Sequence, residues 1–296
     1  MIKKIFNASQ DIFLDFTVNA LIKRFLFILK AISVRKTINT FITKVERSGY
    51  YHVFLASPSV FGVLIWPYIN KDWCVAKRFE AIANHYEILK SLPLYLDVSD
   101  NKRKTIIDLG HYSENVSLVL DKPRWFVREG EIVLNLFRND LRVMSLAFSF
   151  GLFKNEKAIY IGGIQGIHSG VSSEESLEII RKITKDFEGL RPRSCLIEVI
   201  KMIAHTTNVK KILAVSDSNR HHRHPYFNNY VDKISTGNYD TIWLESHGVL
   251  LENGFFGLPI EIVKRDLSEV SSNKRAMYRR RYEIIDDVYS QLKLLN

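Results

Sequence analysis

The sequence predicts an α/β protein in which a mainly helical N-terminal region precedes a mixed sheet with flanking helices. Apolar residues recur at helical spacing before residue 93, whereas short apolar runs separated by turn residues dominate afterwards. Later, two helical patterns lead into an apolar strand, an order typical of a crossover connection. The 296 residues, 46% of them hydrophobic, suffice for one large domain or two ordinary ones. We predict a helical region over residues 1–92 and an α/β domain over residues 93–296.

The N-terminal region is basic and amphipathic. Residues 11–46 place apolar side chains at helical spacing, with lysines and arginines on the flanks. A helix of this kind either packs on its own protein or lies on an anionic membrane surface. Residues 72–92 predict a further helix, which Pro93 ends. The apolar run Phe25–Leu29 is too short to span a bilayer, and polar residues interrupt the N-terminus before it reaches signal-peptide length.

Short apolar runs predict the strands that follow. Four runs are bounded by turn residues: Val116–Leu120, Glu131–Phe137, Leu141–Phe150 and Lys157–Ile164. The last three are close enough along the chain to form an antiparallel meander. Ser172–Glu175 then signals a helix start with carboxylates in the first turn, and a second helix is predicted from Ser194 to about residue 207. This helix leads into the apolar strand Lys210–Ser216.

Three glycines stand where the last strand of the meander enters a loop. Gly162, Gly163 and Gly166, together with Gln165, let backbone N–H groups approach a phosphate or a thioester. A β-bulge or a tight turn explains the same glycines equally well. These four residues are candidates for cofactor binding.

A second candidate anion site precedes the helix that begins near residue 194. Arg191, Arg193 and Ser194 accompany the free N–H groups of the first helical turn, so they could together hold the phosphates of a cofactor. Pro192 is also favourable at a first helical position, and the stretch can equally be an ordinary helix start.

The segment Ser216–His224 is rich in histidines and arginines. No metal is expected there, because the segment lacks a paired carboxylate and the i,i+4 spacing of helical metal ligands. We expect a cationic loop that faces the substrate, with Arg220 and His222 as candidate contacts. A histidine acting as a general base and a solvated loop without a role are the alternatives.

A strand is predicted over Tyr239–Glu245. The alternation of such a strand puts Trp243, Glu245 and His247 on one face. Glu245 beside His247 is a candidate acid–base pair, since an unperturbed histidine titrates near neutral pH. A structural pair is the alternative interpretation.

The C-terminal segment predicts a basic helix from about Asn273 to Leu294. A basic and aromatic stripe is formed by Lys274, Arg275, Tyr278, Arg279, Arg280 and Tyr282. Arginine binds phosphate through two parallel hydrogen bonds, so the stripe is a candidate substrate or anion-binding surface. The alternative is pairing with the acids that follow, which are too few to neutralise all the cations.

Composition limits the partners and the compartment. The net charge of +10, with a pI of about 9.4, fits an anionic partner, although solubility alone can account for it. Cys74 and Cys195 form neither a disulfide framework nor a thiolate metal site, so a reducing, cytoplasmic location is expected. The usual serine hydrolase, zincin, NTPase, dinucleotide and nucleic-acid-binding motifs are absent from the sequence.

Six stretches in order carry a family resemblance: IYIGGIQG, EGLRPRSCLIEVIKMIA, ILAVSDSNRHHRH, DTIWLES, GFFGLP and SNKRAMYRRRYEIID. Together they resemble the VirK/YbjX family of Gram-negative bacteria, and the resemblance covers residues ~50 to 290. The resemblance implies a cell-envelope setting linked to virulence, to display of outer-membrane proteins and to resistance to antimicrobial peptides. Some members are membrane-associated. The family brings no established catalytic residues to this sequence.

Two functions follow as expectations. The order of elements is similar to an acetyltransferase-like (GNAT-like) fold, which implies acyl transfer to an envelope or peptide acceptor. Residues 161–166 would line the thioester, residues 189–194 would hold phosphates, and Glu245 or His247 would act as base. The GNAT phosphate loop reads Q/R-x-x-G-x-G/A and the second glycine is missing here, so acyl-CoA and the phosphopantetheine of an acyl carrier protein are both possible donors. The alternative is a non-enzymatic peripheral membrane factor that binds anionic lipid.

Overall fold

Helices occupy the N-terminal third of the chain. The computed structural model describes residues 2–15, 17–100, 102–168, 170–227 and 238–295. The helices before the first strand are α1 (Ile2–Ile12), α2 (Val18–Ser33), α3 (Arg35–Ser48), α4 (Tyr51–Ala56) and α5 (Val75–Leu89). Thr17 caps α2 by accepting a hydrogen bond from the Ala20 N–H, and Gly49, with a φ of 85°, ends α3. These elements confirm the helical pattern predicted for this region.

The helical region and the sheet share one hydrophobic core. Helix α1 packs on the 3₁₀ segment Pro58–Leu64, α3 packs on α5, and α5 packs on the long central strand of the sheet. Phe41 joins Phe54 and Phe79 in an aromatic cluster within this core. A division of the chain at residue 92 stays a prediction. Among the described residues, none of the helices combines the length and apolarity that crossing a bilayer requires.

The described residues form one mixed sheet of eight strands. The strands are β1 (Lys104–Asp108), β2 (Val116–Asp121), β3 (Ile132–Arg138), β4 (Leu141–Phe153), β5 (Glu156–Gln165), β6 (Lys211–Val215), β7 (Val249–Leu250) and β8 (Phe255–Leu258). Their order across the sheet is β1-β2-β3-β4-β5-β6-β8-β7, and all neighbours are antiparallel except β5 and β6. The predicted meander is confirmed as β3, β4 and β5. Strands β1, β7 and β8 were not predicted, since each is short and lacks a clear alternation.

Two helices connect the parallel strands β5 and β6, as the crossover pattern predicts. They are α6 (Ser173–Asp186) and α7 (Pro192–Thr206). Ser172 caps α6 by accepting a hydrogen bond from the Glu175 N–H, and Pro192 occupies the first turn of α7. Helix α7 packs on the central strands β3 to β6.

Strand β5 is bulged and then leaves its parallel neighbour. Ala147 of β4 pairs with Gly163, whereas the next residue, Phe148, pairs with Ile161, so Gly162 is the extra residue of a β-bulge. The pairing of β5 with β6 ends at Ile161 and Ala214, while β5 continues to Gln165. The two strand ends therefore separate.

The C-terminal part contains one correction to the sequence prediction. Tyr239–Glu245 is a helix, α8, and not the predicted strand. Its buried side chains are Tyr239, Ile242 and Trp243, which is helical spacing, and Asn238 caps its first turn. The predicted basic helix is confirmed as α9 (Ser272–Leu294), which packs on α7 and β1.

Candidate functional site

A large cleft lies where β5 separates from β6. Its volume is about 840 Å³, within the usual range of about 300–1,000 Å³ for small-molecule sites. The end of β5, the loop after β6, the start of α7, helix α8 and the segment before β3 contribute its walls.

Glu129 is a buried carboxylate in the wall of this cleft. Gln165 Nε2 donates to both carboxylate oxygens, at 2.7 and 2.9 Å, and His221 Nε2 lies 3.9 Å from Oε1. Burial raises the pKa of Glu129 to about 7, and the opposing effects of Arg220, Gln165 and Arg128 do not cancel it. A carboxyl group with this pKa can both accept and donate a proton at neutral pH.

The glycines of β5 make room for Glu129. A Cβ atom built on Gly162 would lie 2.0 Å from the Glu129 carbonyl oxygen, and one on Gly163 would lie 1.8 Å from Glu129 Oε2. Any side chain at either position would displace the segment that carries Glu129. The sequence pattern Gly162-Gly163 is therefore explained by close approach of a second segment, and one of the predicted alternatives, a bulge, is present as well.

Cationic and neutral polar groups face Glu129 from the loop after β6. The Arg220 guanidinium lies 3.5 Å from the ring centroid of Tyr239 and pairs with Asp217 at 3.3 Å. Burial lowers the pKa of His221 well below its usual value and that of His222 to about 4, so both imidazoles are neutral at pH 7. Within the described part of the chain, His221 Nδ1 and His222 Nε2 are buried without a hydrogen-bond partner. Both histidines line the cleft.

Helix α8 joins the separated strand ends. The Tyr239 hydroxyl donates to the Ile164 carbonyl and accepts from the Ile164 N–H, both at 2.8 Å. Trp243 Nε1 donates to the Val215 carbonyl at 2.8 Å. Two side chains of one helix thus satisfy backbone groups at the point where the strands no longer pair with each other.

Several residues predicted from the sequence do lie together. Gln165, Gly166, Arg193, Arg220 and His222 all line the cleft. Gly162 and Gly163 lie behind it, beneath Glu129. Arg193 lies in the first turn of α7 and pairs with Glu245 at 2.8 Å. Its role in holding the phosphates of a cofactor stays a prediction.

Other predicted site residues lie outside the lining of the cleft. Arg191 precedes the first turn of α7 and Ser194 lies within that turn. Glu245 is exposed at the end of α8 and pairs with Arg193 at 2.8 Å, while His247 is exposed in the following turn with a φ of 61°. The predicted common strand face of Glu245 and His247 is wrong because the segment is helical. Their acid–base role stays a prediction.

Several cations of the basic helix α9 are bonded to other parts of the protein. Arg280 forms two hydrogen bonds with the Glu188 carboxylate, at 2.7 and 2.9 Å, and Arg281 Nε donates to the Glu188 carbonyl. Arg275 donates to the Val270 and Ser268 carbonyls.

The remaining members of the stripe are less engaged. Tyr282 bonds the backbone of Arg265 and packs edge-on against Tyr278. Within the described chain, Lys274 and Arg279 form no ion pair. Arg275 likewise has no ion pair among the described residues, although it bonds two backbone carbonyls. The predicted anion-binding role of this stripe stays a prediction.

Sequence reasoning missed Glu129, His221 and Tyr239. Glu129 lies in an irregular segment between β2 and β3, where no periodicity marks it. The available signal was the adjacent pair Gly162-Gly163, which indicates that another segment comes close to β5 without naming that segment. Among the described residues, no group of three His, Cys, Asp or Glu side chains is placed to hold a metal ion.

The fold and the cleft define a mixed α/β protein with a buried carboxylate in the wall of a ligand-sized cleft. The chain belongs to the family described as "Protein of unknown function (DUF535)", whose model matches residues 17–293. This confirms the resemblance to the VirK/YbjX family that the six sequence stretches indicate.

Relatives in two Gram-negative bacteria are similar to this chain. The "Uncharacterized protein YbjX" of Escherichia coli (strain K12) is 27% identical over 234 residues, which cover 76% of this chain and 68% of the relative. An "Uncharacterized protein" of Haemophilus influenzae is 30% identical over 168 residues, covering 56% of this chain and 53% of the relative. A second Haemophilus influenzae protein is 29% identical and covers 75% of this chain and 70% of the relative. No solved structure matches.

Proposed function

We propose that the protein is an acyltransferase whose active site is the cleft at the separated ends of β5 and β6, with Glu129 as the general base. One observation carries the proposal: Glu129 is buried in the wall of a ligand-sized cleft and has a pKa of about 7. A base that must be regenerated at neutral pH works best with a pKa in this range.

The topology supports the choice of reaction. An antiparallel meander, a bulged strand, two crossover helices and a parallel strand that separates from the bulged one follow each other in that order. This order resembles the acetyltransferase-like (GNAT-like) fold expected from the sequence. In such an arrangement the separated strand ends border a cleft, where a thioester can lie along β5 beside the backbone groups that Tyr239 and Trp243 already bond.

The reaction is an attack by an acceptor amine on a thioester carbonyl. The C–N bond forms, the C–S bond breaks, and the thiolate leaves with the donor. Glu129, in its ionised form, takes the proton that the amine loses. Its position next to Gly163 and Gln165 puts this proton acceptor beside the strand along which the thioester would lie.

The donor expected for this cleft is anionic. Arg142, Arg193 and Arg220 line the cleft, where Glu129 is the carboxylate among the lining residues. Each arginine also pairs with a carboxylate outside the lining: Asp121, Glu245 and Asp217 respectively. Phosphates of acyl-CoA or of an acyl carrier protein's phosphopantetheine carry the complementary charge. An envelope or peptide amine is the proposed acceptor, consistent with the family setting.

The test is release of free thiol from acyl-CoAs and from acylated carrier protein, with and without peptide amines. We expect turnover by the wild type and a loss of about 100-fold or more in Glu129→Gln, the usual scale for removal of a general base. Glu245→Gln and His247→Asn, at exposed residues outside the lining of the cleft, are matched controls, and they also test the sequence-based assignment. Full activity of Glu129→Gln together with an inactive Glu245→Gln would make Glu245 the general base and would exclude Glu129 from that role.

A second candidate function, a peripheral membrane factor, is favoured by the outer face of α2. Seven large apolar side chains of this helix keep 45–73% of their surface exposed: Val18, Leu21, Ile22, Phe25, Leu26, Leu29 and Ile32. The opposite face, with Ala20, Phe27 and Ala31, is buried against the protein. Residues 17–45 contain six Lys or Arg and no Asp or Glu, so an anionic leaflet suits this surface.

Vesicle sedimentation separates the two candidates. We expect the wild type to bind vesicles rich in phosphatidylglycerol in a salt-sensitive manner, and Phe25→Asp with Leu29→Asp to abolish binding. Leu177→Asp, at a comparably exposed leucine of α6, is the matched control. Vesicle binding without thiol release by any thioester would favour the membrane factor over the enzyme.

A further inference from the structure

A second cavity lies between the helical region and the sheet. Its volume is about 400 Å³, which is also within the range of about 300–1,000 Å³ for small-molecule sites. Five larger apolar side chains line it: Leu14, Val53, Phe54, Val60 and Val127. The cavity is partly open to solvent, and Leu14 on its wall is exposed, so an apolar occupant would remove this apolar surface from water.

The charged groups inside this cavity neutralise each other. Glu131 accepts hydrogen bonds from Lys122 at 2.6 Å, from Tyr86 at 2.8 Å and from Tyr68 at 3.2 Å. Burial acts to raise the pKa of Glu131, but Lys122, His85 and the Tyr86 hydrogen bond hold it below its usual value. Lys122 and Glu131 therefore neutralise each other, and an apolar ligand beside them would bury no unpaired charge of this pair.

A basic depression adjoins the cavity. Its charged lining consists of four cations, Arg103, Lys122, Arg124 and Arg142, and one acid, Asp121. Asp121 already pairs with Arg142 at 2.6 Å and lies 3.9 Å from Arg103. Ala56, Ser57, Lys122, Pro123 and Arg124 line both the depression and the cavity, so the two spaces meet.

Arg124 stands at this junction. It is exposed, and the described residues provide it with no ion pair. Asp11, the other carboxylate of the cavity lining, is exposed to water. An apolar space that opens beside an exposed arginine without an ion pair matches a molecule with a hydrocarbon chain and an anionic head.

We propose that this paired cavity and depression bind a single-chain amphiphile, with the hydrocarbon chain among Val53, Phe54 and Val127 and an anionic head on Arg124. The head is a carboxylate or a phosphate. The proposal concerns binding alone, and it does not rest on acyl transfer in the cleft lined by Glu129.

Calorimetric titration of the full chain with saturated fatty acids of increasing length tests the proposal. Each added methylene should tighten binding about fourfold until the cavity is filled, after which the affinity should level off. Decyl phosphate and decanoate distinguish the two heads. Arg124→Gln should weaken decanoate binding several-fold and leave decanol binding unchanged.

Two variants that close the cavity complete the test. Ala56→Trp blocks the exposed junction without touching the core, and Val53→Trp fills the interior. Each should weaken decanoate binding at least about tenfold, while Val249→Trp, on the exposed outer strand β7, should bind as the wild type does. No saturable binding by the wild type, or wild-type affinity in Ala56→Trp, would overturn the proposal.

Discussion

Gly163 and Glu129 share a space that holds only one side chain. A Cβ atom on Gly163 would lie 1.8 Å from Glu129 Oε2 and 2.6 Å from its Cδ atom. The absence of a side chain on β5 therefore permits a buried carboxylate beside it. The glycine pair is visible as a pattern in the sequence, whereas no sequence pattern marks the buried Glu129 carboxylate.

Substitution of Gly163 by alanine should displace the Glu129 carboxylate and break its hydrogen bonds with Gln165. Overpacking of this kind costs about 1–3 kcal/mol of the free energy of unfolding, which urea denaturation measures. Gly166→Ala is the matched control, because a Cβ there would meet no atom closer than Met144 Cε at 4.0 Å. Equal stability of the two variants would contradict the packing described for Glu129.

The raised pKa makes Glu129 a pH-dependent cost to folding. The unfolded glutamate ionises near pH 4.5 and the folded one near pH 7. Below the lower value both states keep the proton. Between the two values only the unfolded state has lost it, so stability falls as the pH rises, and above pH 7 the cost stays constant at about 3 kcal/mol.

Glu129→Gln should lack this fall. We expect the variant to gain stability relative to the wild type between about pH 4.5 and about pH 8, as measured by urea denaturation at both values. Glu245→Gln, at an exposed carboxylate, serves as control and should follow the wild type. Parallel pH profiles of the wild type and Glu129→Gln would mean that Glu129 titrates normally.

Lys122→Met should be strongly destabilising, because it leaves Glu131 buried without its cation. The loss of one partner of a buried pair costs roughly 3 kcal/mol or more. Lys211→Met removes a half-exposed partner that lies 3.9 Å from Glu156, and this change should stay within about 0.5 kcal/mol. A small effect of Lys122→Met would show that water reaches Glu131.

Arg279 and Arg280 should respond differently to charge reversal. Arg280→Glu places a carboxylate against Glu188 and should lower the melting temperature, whereas Arg279→Glu breaks no ion pair of the described chain and should not. Arg279→Glu is therefore the clean probe of anion binding by α9. Loss of anionic-partner binding in this variant, with unchanged melting, would support the predicted surface, and unchanged binding would exclude Arg279 from it.

Strong periodicity in the sequence predicted most of the architecture. The meander β3–β5, the crossover helices and the strand β6 all lie where apolar patterns predicted them. The strand predicted over Tyr239–Glu245 is wrong. These seven residues are rich in β-branched and aromatic types, so their sequence resembles that of a strand. The spacing of the buried residues among them, Tyr239, Ile242 and Trp243, is helical, but burial cannot be read from the sequence.

The candidate site was predicted only in part, for a physical reason. Gln165, Gly166, Arg193, Arg220 and His222, which line the cleft, are candidates from the sequence because each lies in a segment with a local signal. Glu129 lies in a segment without a local signal. Its raised pKa results from burial by strands and loops that are distant along the chain. Long-range packing determines such a property, and a local pattern does not record it.

The most direct test of the account is the pKa of Glu129 itself. Carbon-13 NMR of the glutamate carboxyl groups, titrated with pH in the wild type and in Glu129→Gln, measures it without any knowledge of the substrate. We predict one resonance with a midpoint near pH 7 that is missing from the variant. If the resonance that disappears in Glu129→Gln instead titrates near pH 4.5, Glu129 is an ordinary solvated carboxylate and the proposed acid–base cleft is wrong.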